Sequence, residues 1–197
     1  MSDGEPESSE VWIVRHGETE WSKSGRHTGS TDLALTPKGE QDAIALAPAL
    51  TGVHFDLVLS SPRQRARRTA ELAGITSFEM DEDLAEWDYG DYEGRTRVDI
   101  QASRAGWSVW VDGCPGGESP DQVARRVDGV IARCQGTDGR VLLFAHGHIL
   151  RSLAARWLTQ PVELGAHLEL ATGRVSVLGH DRGTPTLELW NASSPGS

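Results

Sequence analysis

Short apolar runs alternate with amphipathic stretches along the chain. Val11-Trp12-Ile13-Val14 has no polar interruption and stops at Arg15-His16-Gly17, which predicts a buried strand ending in a loop. Residues 17–35 show no period and contain Gly25, Gly29 and several hydroxyls, so they predict a long loop, a kind of segment often tied to function. Thr36-Pro37 predicts a helix start, with Thr36 as cap and Pro37 at the first helical position. Ala43, Leu46, Ala47 and Leu50 give that helix an apolar stripe, and Gly52 ends it. Phe55 to Leu59 predicts a second strand. Ser61-Pro62 repeats the cap-and-proline signal for a helix through about Ala73. Residues 74–106 are mixed and include the acidic, aromatic loop Glu86 to Gly94. Ser119, Pro120 and Gln122 predict a capping box, and Val123, Val127, Val130 and Ile131 the buried face of its helix. Val141 to Ala145 predicts a third strand, again ending at His-Gly (His146-Gly147), with a helix over about 149–158. Val175 to Leu178 and Thr186 to Trp190 predict a terminal strand pair joined by the turn His180 to Pro185. Strands alternating with helices predict an α/β domain around a mostly parallel sheet. Ligands of such sheets bind at the carboxyl ends of strands, where Arg15, His16 and His146 fall.

Composition narrows this picture. A chain of 197 residues fits one domain with a sizeable core. That domain is expected over 11–192, with an acidic, Ser-rich tail at 1–10 and a flexible tail at 193–197. The formal net charge of -10 disfavours nucleic acid and anionic membranes as partners. It also repels a phosphorylated metabolite, so any phosphate site must be a local cationic pocket. The two cysteines, Cys114 and Cys134, lack CxxC spacing, and no signal peptide precedes them, so they are expected as unpaired thiols in a reducing cytoplasm. No apolar run approaches a membrane span. Nothing in the sequence decides whether the chain forms homo-oligomers.

Chemistry enters by convergence. Arg15 and His16 leave one strand end, Arg65 lies on the helix after the second strand, His146 leaves the third, and Glu86 sits in the acidic loop. If the strands are neighbours, these groups meet in one pocket.

Four segments, in order, resemble the histidine phosphatase (phosphoglycerate-mutase-like) superfamily over residues 11–179. They are Val14 to Trp21, Ser60 to Ala70, Leu84 to Gly90, and Phe144 to Gly147. The resemblance implies a three-layer sandwich with a mostly parallel central sheet flanked by helices. It implies His16 as a nucleophile that becomes phosphorylated, Arg15, Arg65 and His146 as ligands of the phosphoryl group, and Glu86 as proton donor. It also implies ligand contacts from Ser22, Thr28 and Gly29, although many relatives have Asn at the position of Ser22. Gly17 and Gly147 fit loops whose backbone comes close to a phosphate. Tyr89 and His148 are expected among the substrate contacts, and His27 and His148 at a second phosphate or a hydroxyl. The physics agrees with these roles. An imidazole must be neutral to attack phosphorus, and guanidinium groups disfavour a second positive charge beside them. They also bind phosphate oxygens bidentately and stabilise transition-state charge, so no metal and no cofactor is expected.

Mutases of the superfamily carry a long extra segment with basic residues that clamp a bisphosphate. Here the stretch from Glu93 to Glu118 is short, and Pro115 to Ser119 resembles the phosphatase branch. The expected activity is therefore hydrolysis of phosphate monoesters of small metabolites, nearest to sedoheptulose-1,7-bisphosphatase and broad acid phosphatases. The alternatives are a cofactor-dependent phosphoglycerate mutase and an inactive phosphate-binding module. The second would require loss of His16, Arg65, Glu86 or His146, and all four are present. Trp87, Tyr89, Tyr92, Trp107 and Trp110 form either an aromatic wall against a sugar or part of the core.

Overall fold

The central sheet has six strands in the order β3-β2-β4-β1-β5-β6. In a computed structural model that describes residues 10–193, the chain runs β1 (Glu10–Arg15), α1 (Glu20–Ser24), α2 (Pro37–Ile44), α3 (Ala47–Leu50), β2 (Leu57–Ser60), α4 (Gln64–Leu72) and β3 (Glu79–Met80). It continues through α5 (Arg97–Ser103), α6 (Val109–Asp112), α7 (Pro120–Gln135), β4 (Arg140–Ala145), α8 (Gly147–Trp157), β5 (Val175–Asp181) and β6 (Thr184–Ala192). Apart from Glu10, which opens β1, and Ser193, the two expected tails lie outside the described residues.

β1, β2, β3 and β4 are parallel, and β5 runs against its neighbours. Alternate residues of β1 and β4 feed two cores. Val11, Ile13, Val141 and Leu143 face α7 and α8, where Val123, Val127, Leu150 and Leu153 are buried. Trp12, Val14, Leu142 and Phe144 face the opposite layer, with Leu46, Leu50, Ala66 and Ala70. Strands covered on both faces read as continuous apolar runs rather than as alternation. This is the three-layer sandwich that the resemblance implies. Cys114 and Cys134 are buried free thiols, and burial pushes both up to about 12.

Four local expectations change. The single helix after Thr36 is two, α2 and α3. Pro48 lacks the N–H that would bond to the Ile44 carbonyl, and its ring crowds that carbonyl. The loop at 17–35 contains α1, a five-residue helix with a Thr19–Ser22 capping box and Gly25 as left-handed C-cap. It buries no residue, so no apolar stripe announced it. Ser61-Pro62 does not start α4. Arg63 is its cap residue and gives no side-chain cap, while Asp32 Oδ1 accepts from the Gln64 N–H at 2.8 Å. The last turn is tighter than expected, because His180 pairs with Pro185 and Asp181 with Thr184. Only Arg182 and Gly183 bridge the strands, at φ 49° and 78°, the signature of a two-residue type I′ hairpin.

Candidate active site

The register Arg15↔Ala145 ends β1 and β4 at the same level. His16 and His146 therefore leave the sheet side by side, with ring centroids 5.1 Å apart. β2, on the other side of β4, delivers Ser61, and α4 behind it delivers Arg65.

The hydrogen bonds set the state of each ring. His16 Nδ1 lies 2.7 Å from the Gly17 carbonyl. A carbonyl only accepts, so Nδ1 carries the proton and Nε2 keeps its lone pair. Nε2 has no hydrogen-bond partner among the described residues. Burial, then Arg65 and Arg15, hold the His16 pKa well below its ordinary value, so the ring is neutral and basic at the one free nitrogen. At His146 the assignment is reversed. Arg65 Nε–H donates to Nδ1 at 3.0 Å, so Nε2 carries the proton and donates to Ser61 Oγ at 2.7 Å. Burial, followed by Arg65 and His16, also keeps this ring neutral. Ser61 Oγ also accepts from the N–H of Arg63, the cap residue of α4, at 3.3 Å.

Arg65 is completely buried. Besides His146 it donates to the carbonyls of Thr31 at 3.0 Å and of Thr28 and Gly29 at 3.0 and 3.4 Å. All three of its guanidinium nitrogens are thus engaged within the protein. Arg15 differs. Its Nη1 donates to the Leu170 carbonyl, and its Nε is enclosed without a partner. Glu86 reaches the start of α8. Oε1 accepts from the N–H groups of Trp87 and Ile149, both at 2.9 Å, and Oε2 from that of His148 at 3.0 Å. A carboxylate here satisfies helix N–H groups that His146, the cap residue, leaves unbonded.

A cavity of about 150 Å³ opens beside His16. Of the residues expected at the site, Arg15, His16, Ser22, Thr28, Glu86, Tyr89 and His148 line it. His27, expected at a second phosphate or a hydroxyl, lines it too, and so do Gly25 and Arg26. Arg26 had no sequence signal, being one exposed cation in a loop. Arg65, His146, Gly17, Gly29 and Gly147 are not among the residues that line it. Gly17 and Gly29 are required by the protein's own backbone, and Gly147 leaves room for the Arg15 side chain. A Cβ on Gly17 would stand 2.2 Å from the Gly39 carbonyl oxygen, one on Gly29 2.6 Å from that of Trp87, and one on Gly147 3.1 Å from Arg15 Cζ. The Ser22 hydroxyl is engaged in capping α1, where it donates to the Thr19 carbonyl at 3.0 Å. Thr28 Oγ1 donates to the Arg26 carbonyl at 3.2 Å. Trp87, Tyr92, Trp107 and Trp110 are buried in the core, and Tyr89 is the aromatic residue of this set that meets the cavity. Among the described residues, no three His, Cys, Asp or Glu side chains are grouped to hold a metal ion. None of the described helices is long and apolar enough to cross a membrane.

The chain is similar to known proteins over most of its length. Residues 11–193 match the model of the histidine phosphatase superfamily (branch 1). An acid phosphatase of Mycobacterium tuberculosis is 41% identical over 181 residues, covering 90% of this chain and 89% of that protein. A sedoheptulose 1,7-bisphosphatase of Saccharomyces cerevisiae is 39% identical over 178 residues, covering 74% of this chain and 66% of that protein. A solved Mycobacterium tuberculosis structure superposes with a TM-score of 0.89 at 38% identity, covering 93% of this chain and 97% of that one. The chain belongs to the histidine phosphatase superfamily. Within it, the relatives named here are phosphate-ester hydrolases.

Proposed function

We propose that this protein, acting as one catalytic domain over 11–192, hydrolyses phosphate monoesters of small metabolites, sugar phosphates or bisphosphates, through a phosphohistidine on His16. The observation that carries the reading is the tether of His16 Nδ1 to the Gly17 carbonyl. It leaves a neutral Nε2 lone pair beside the cavity, next to an unused Arg15 donor. In the first step Nε2 attacks phosphorus, the ester P–O bond breaks, and the leaving alkoxide takes the proton of Glu86 in its carboxylic acid form, which becomes the carboxylate. In the second step water attacks the phosphohistidine, Glu86 takes its proton, and the N–P bond breaks to release phosphate. Arg15 bonds the phosphoryl oxygens, and its charge favours the electron-rich transition state. Arg65 and His146 bond to each other behind His16 and hold its surroundings in place.

Hydrolysis is favoured over mutase activity because the stretch from Glu93 to Glu118 places none of Arg95, Arg97 and Arg104 on the cavity wall. The names of the acid phosphatase and bisphosphatase relatives support the same reading. The buried free thiols fit the cytoplasm, and the charge of -10 argues against a nucleic-acid partner. The test is a rapid quench into alkali with a labelled sugar phosphate, run beside a mutase assay. Acid-labile label on wild-type protein, absent from a folded His16→Ala variant that no longer releases phosphate, is the expected result. Turnover by His16→Ala would defeat the mechanism.

A further inference from the structure

A single peptide group joins two opposite charges beside the cavity. The Thr28 carbonyl accepts from Arg65 Nη2 at 3.0 Å. The N–H of that same peptide, carried by Gly29, donates to both carboxylate oxygens of Glu93, at 3.0 and 2.9 Å. The C=O and N–H of a trans peptide point in opposite directions, so guanidinium and carboxylate sit at opposite edges of one plane. The pattern extends to the next turn of the loop. Glu93 Oε1 also accepts from the Thr31 N–H at 3.0 Å, and the Thr31 carbonyl accepts from Arg65 Nη1 at 3.0 Å. Backbone bonds seat the carboxylate. The Gly94 N–H donates to the His27 carbonyl at 2.9 Å, and the His27 N–H to the Arg95 carbonyl at 3.0 Å. Gly29 admits it, since a Cβ there would lie 3.0 Å from Glu93 Oε2.

We propose that Glu93 is a positioning residue, which fixes the Arg65 fork through the Thr28–Gly29 peptide and, through Arg65, the proton arrangement at His146. This rests on reading the cavity as a phosphatase site. A carboxylate that accepts the Gly29 N–H makes the Thr28 carbonyl a stronger acceptor. Arg65 is held by that carbonyl while its Nε–H donates to His146 Nδ1. The bond to Nδ1 keeps the His146 proton on Nε2, facing Ser61. The intervening peptide also matters for charge. A carboxylate bonded directly to Arg65 would offset the positive charge that helps to keep His16 and His146 neutral. One peptide away, Glu93 orients the guanidinium with less loss of its field.

A double-mutant cycle tests this, read as kcat/KM for p-nitrophenyl phosphate in the wild type, Glu93→Gln, Arg65→Ala and the double variant. Glutamine accepts at one end only, and its amide N–H groups would meet the Gly29 N–H donor to donor, so the Thr28–Gly29 peptide turns. We expect Glu93→Gln to lower kcat/KM about tenfold in the wild-type background, the size of one hydrogen bond. In the Arg65→Ala background we expect less than about twofold, because an effect carried by Arg65 has nothing left to act through. A merely structural role predicts the same loss in both backgrounds. Equal losses, or none in the wild type, overturn the proposal. NMR of the wild-type protein tests the bridge without a variant. The Gly29 and Thr31 amide protons should lie downfield, exchange slowly with solvent, and shift together with the Glu93 carboxyl carbon as it titrates. Amide protons indifferent to that titration overturn it. Failure of the wild type to release phosphate from the ester would instead count against the phosphatase reading.

Discussion

Arg65 shows how a buried charge can organise a site it scarcely faces. Its guanidinium joins α4 to three carbonyls of the loop at 28–31 and to His146. Arg65→Ala should lower kcat/KM by about 100-fold or more and lower the melting temperature as well, because those acceptors lose buried partners. Arg65→Lys should restore little, since an ammonium cannot bond along so many directions. Steady-state kinetics and thermal melts on both variants check this, and full rescue by lysine would count against the fork. Glu86 presents a second test. Glutamine in its place can accept at one atom only, so the other would turn an N–H toward a backbone N–H of α8. Glu86→Gln should therefore lose stability together with its acid–base limb, and an unaltered melt and pH–rate profile would remove both roles. His16, Arg15, His146 and Glu86 were legible in the sequence because strand ends and the resemblance mark them. Gly25 and Arg26 were not, because a loop residue gains its place from contacts distant in sequence, here the bridge between Arg26 and Thr96.

At the level of elements, local chemistry was readable where it acts locally. The Ser119–Gln122 box starts α7 as its letters indicate, and the valines along it are buried. It misled at Ser61-Pro62, where the same letters serve His146 instead, through a partner 85 residues away. The stripe from Ala43 to Leu50 was right in its buried face, yet Pro48 divides the helix. The loop after β1 touches the start of α2 so closely that Gly17 and Gly39 meet backbone to backbone. Gly17→Ala should cost several kcal/mol, since a methyl group 2.2 Å from the Gly39 oxygen forces main chain to move. Denaturant melts measure this, and a change below about 0.5 kcal/mol would show that the approach relaxes freely.

Across the whole molecule, three imidazoles, two buried and one partly buried, share one electrostatic bias. His16, His146 and His148 all titrate well below the ordinary histidine value, first through burial and then through neighbouring arginines or histidines. In the unfolded chain they take up protons near pH 6.5. Between that pH and their folded values the unfolded state binds more protons, so stability is complete above about pH 6.5 and declines as pH falls. The melting temperature should drop between pH 7.5 and 5, and a level or rising value would contradict the neutral rings. The sheet order has a consequence of another kind. β1 is made first by the ribosome, yet its partners are β4 and β5, which begin at Arg140 and Val175. The nucleophile's strand must therefore wait, unpaired and apolar, until some 130 further residues have emerged. His16 acquires its histidine neighbour only late in synthesis, and a nascent chain has no working phosphatase until its last third is in place.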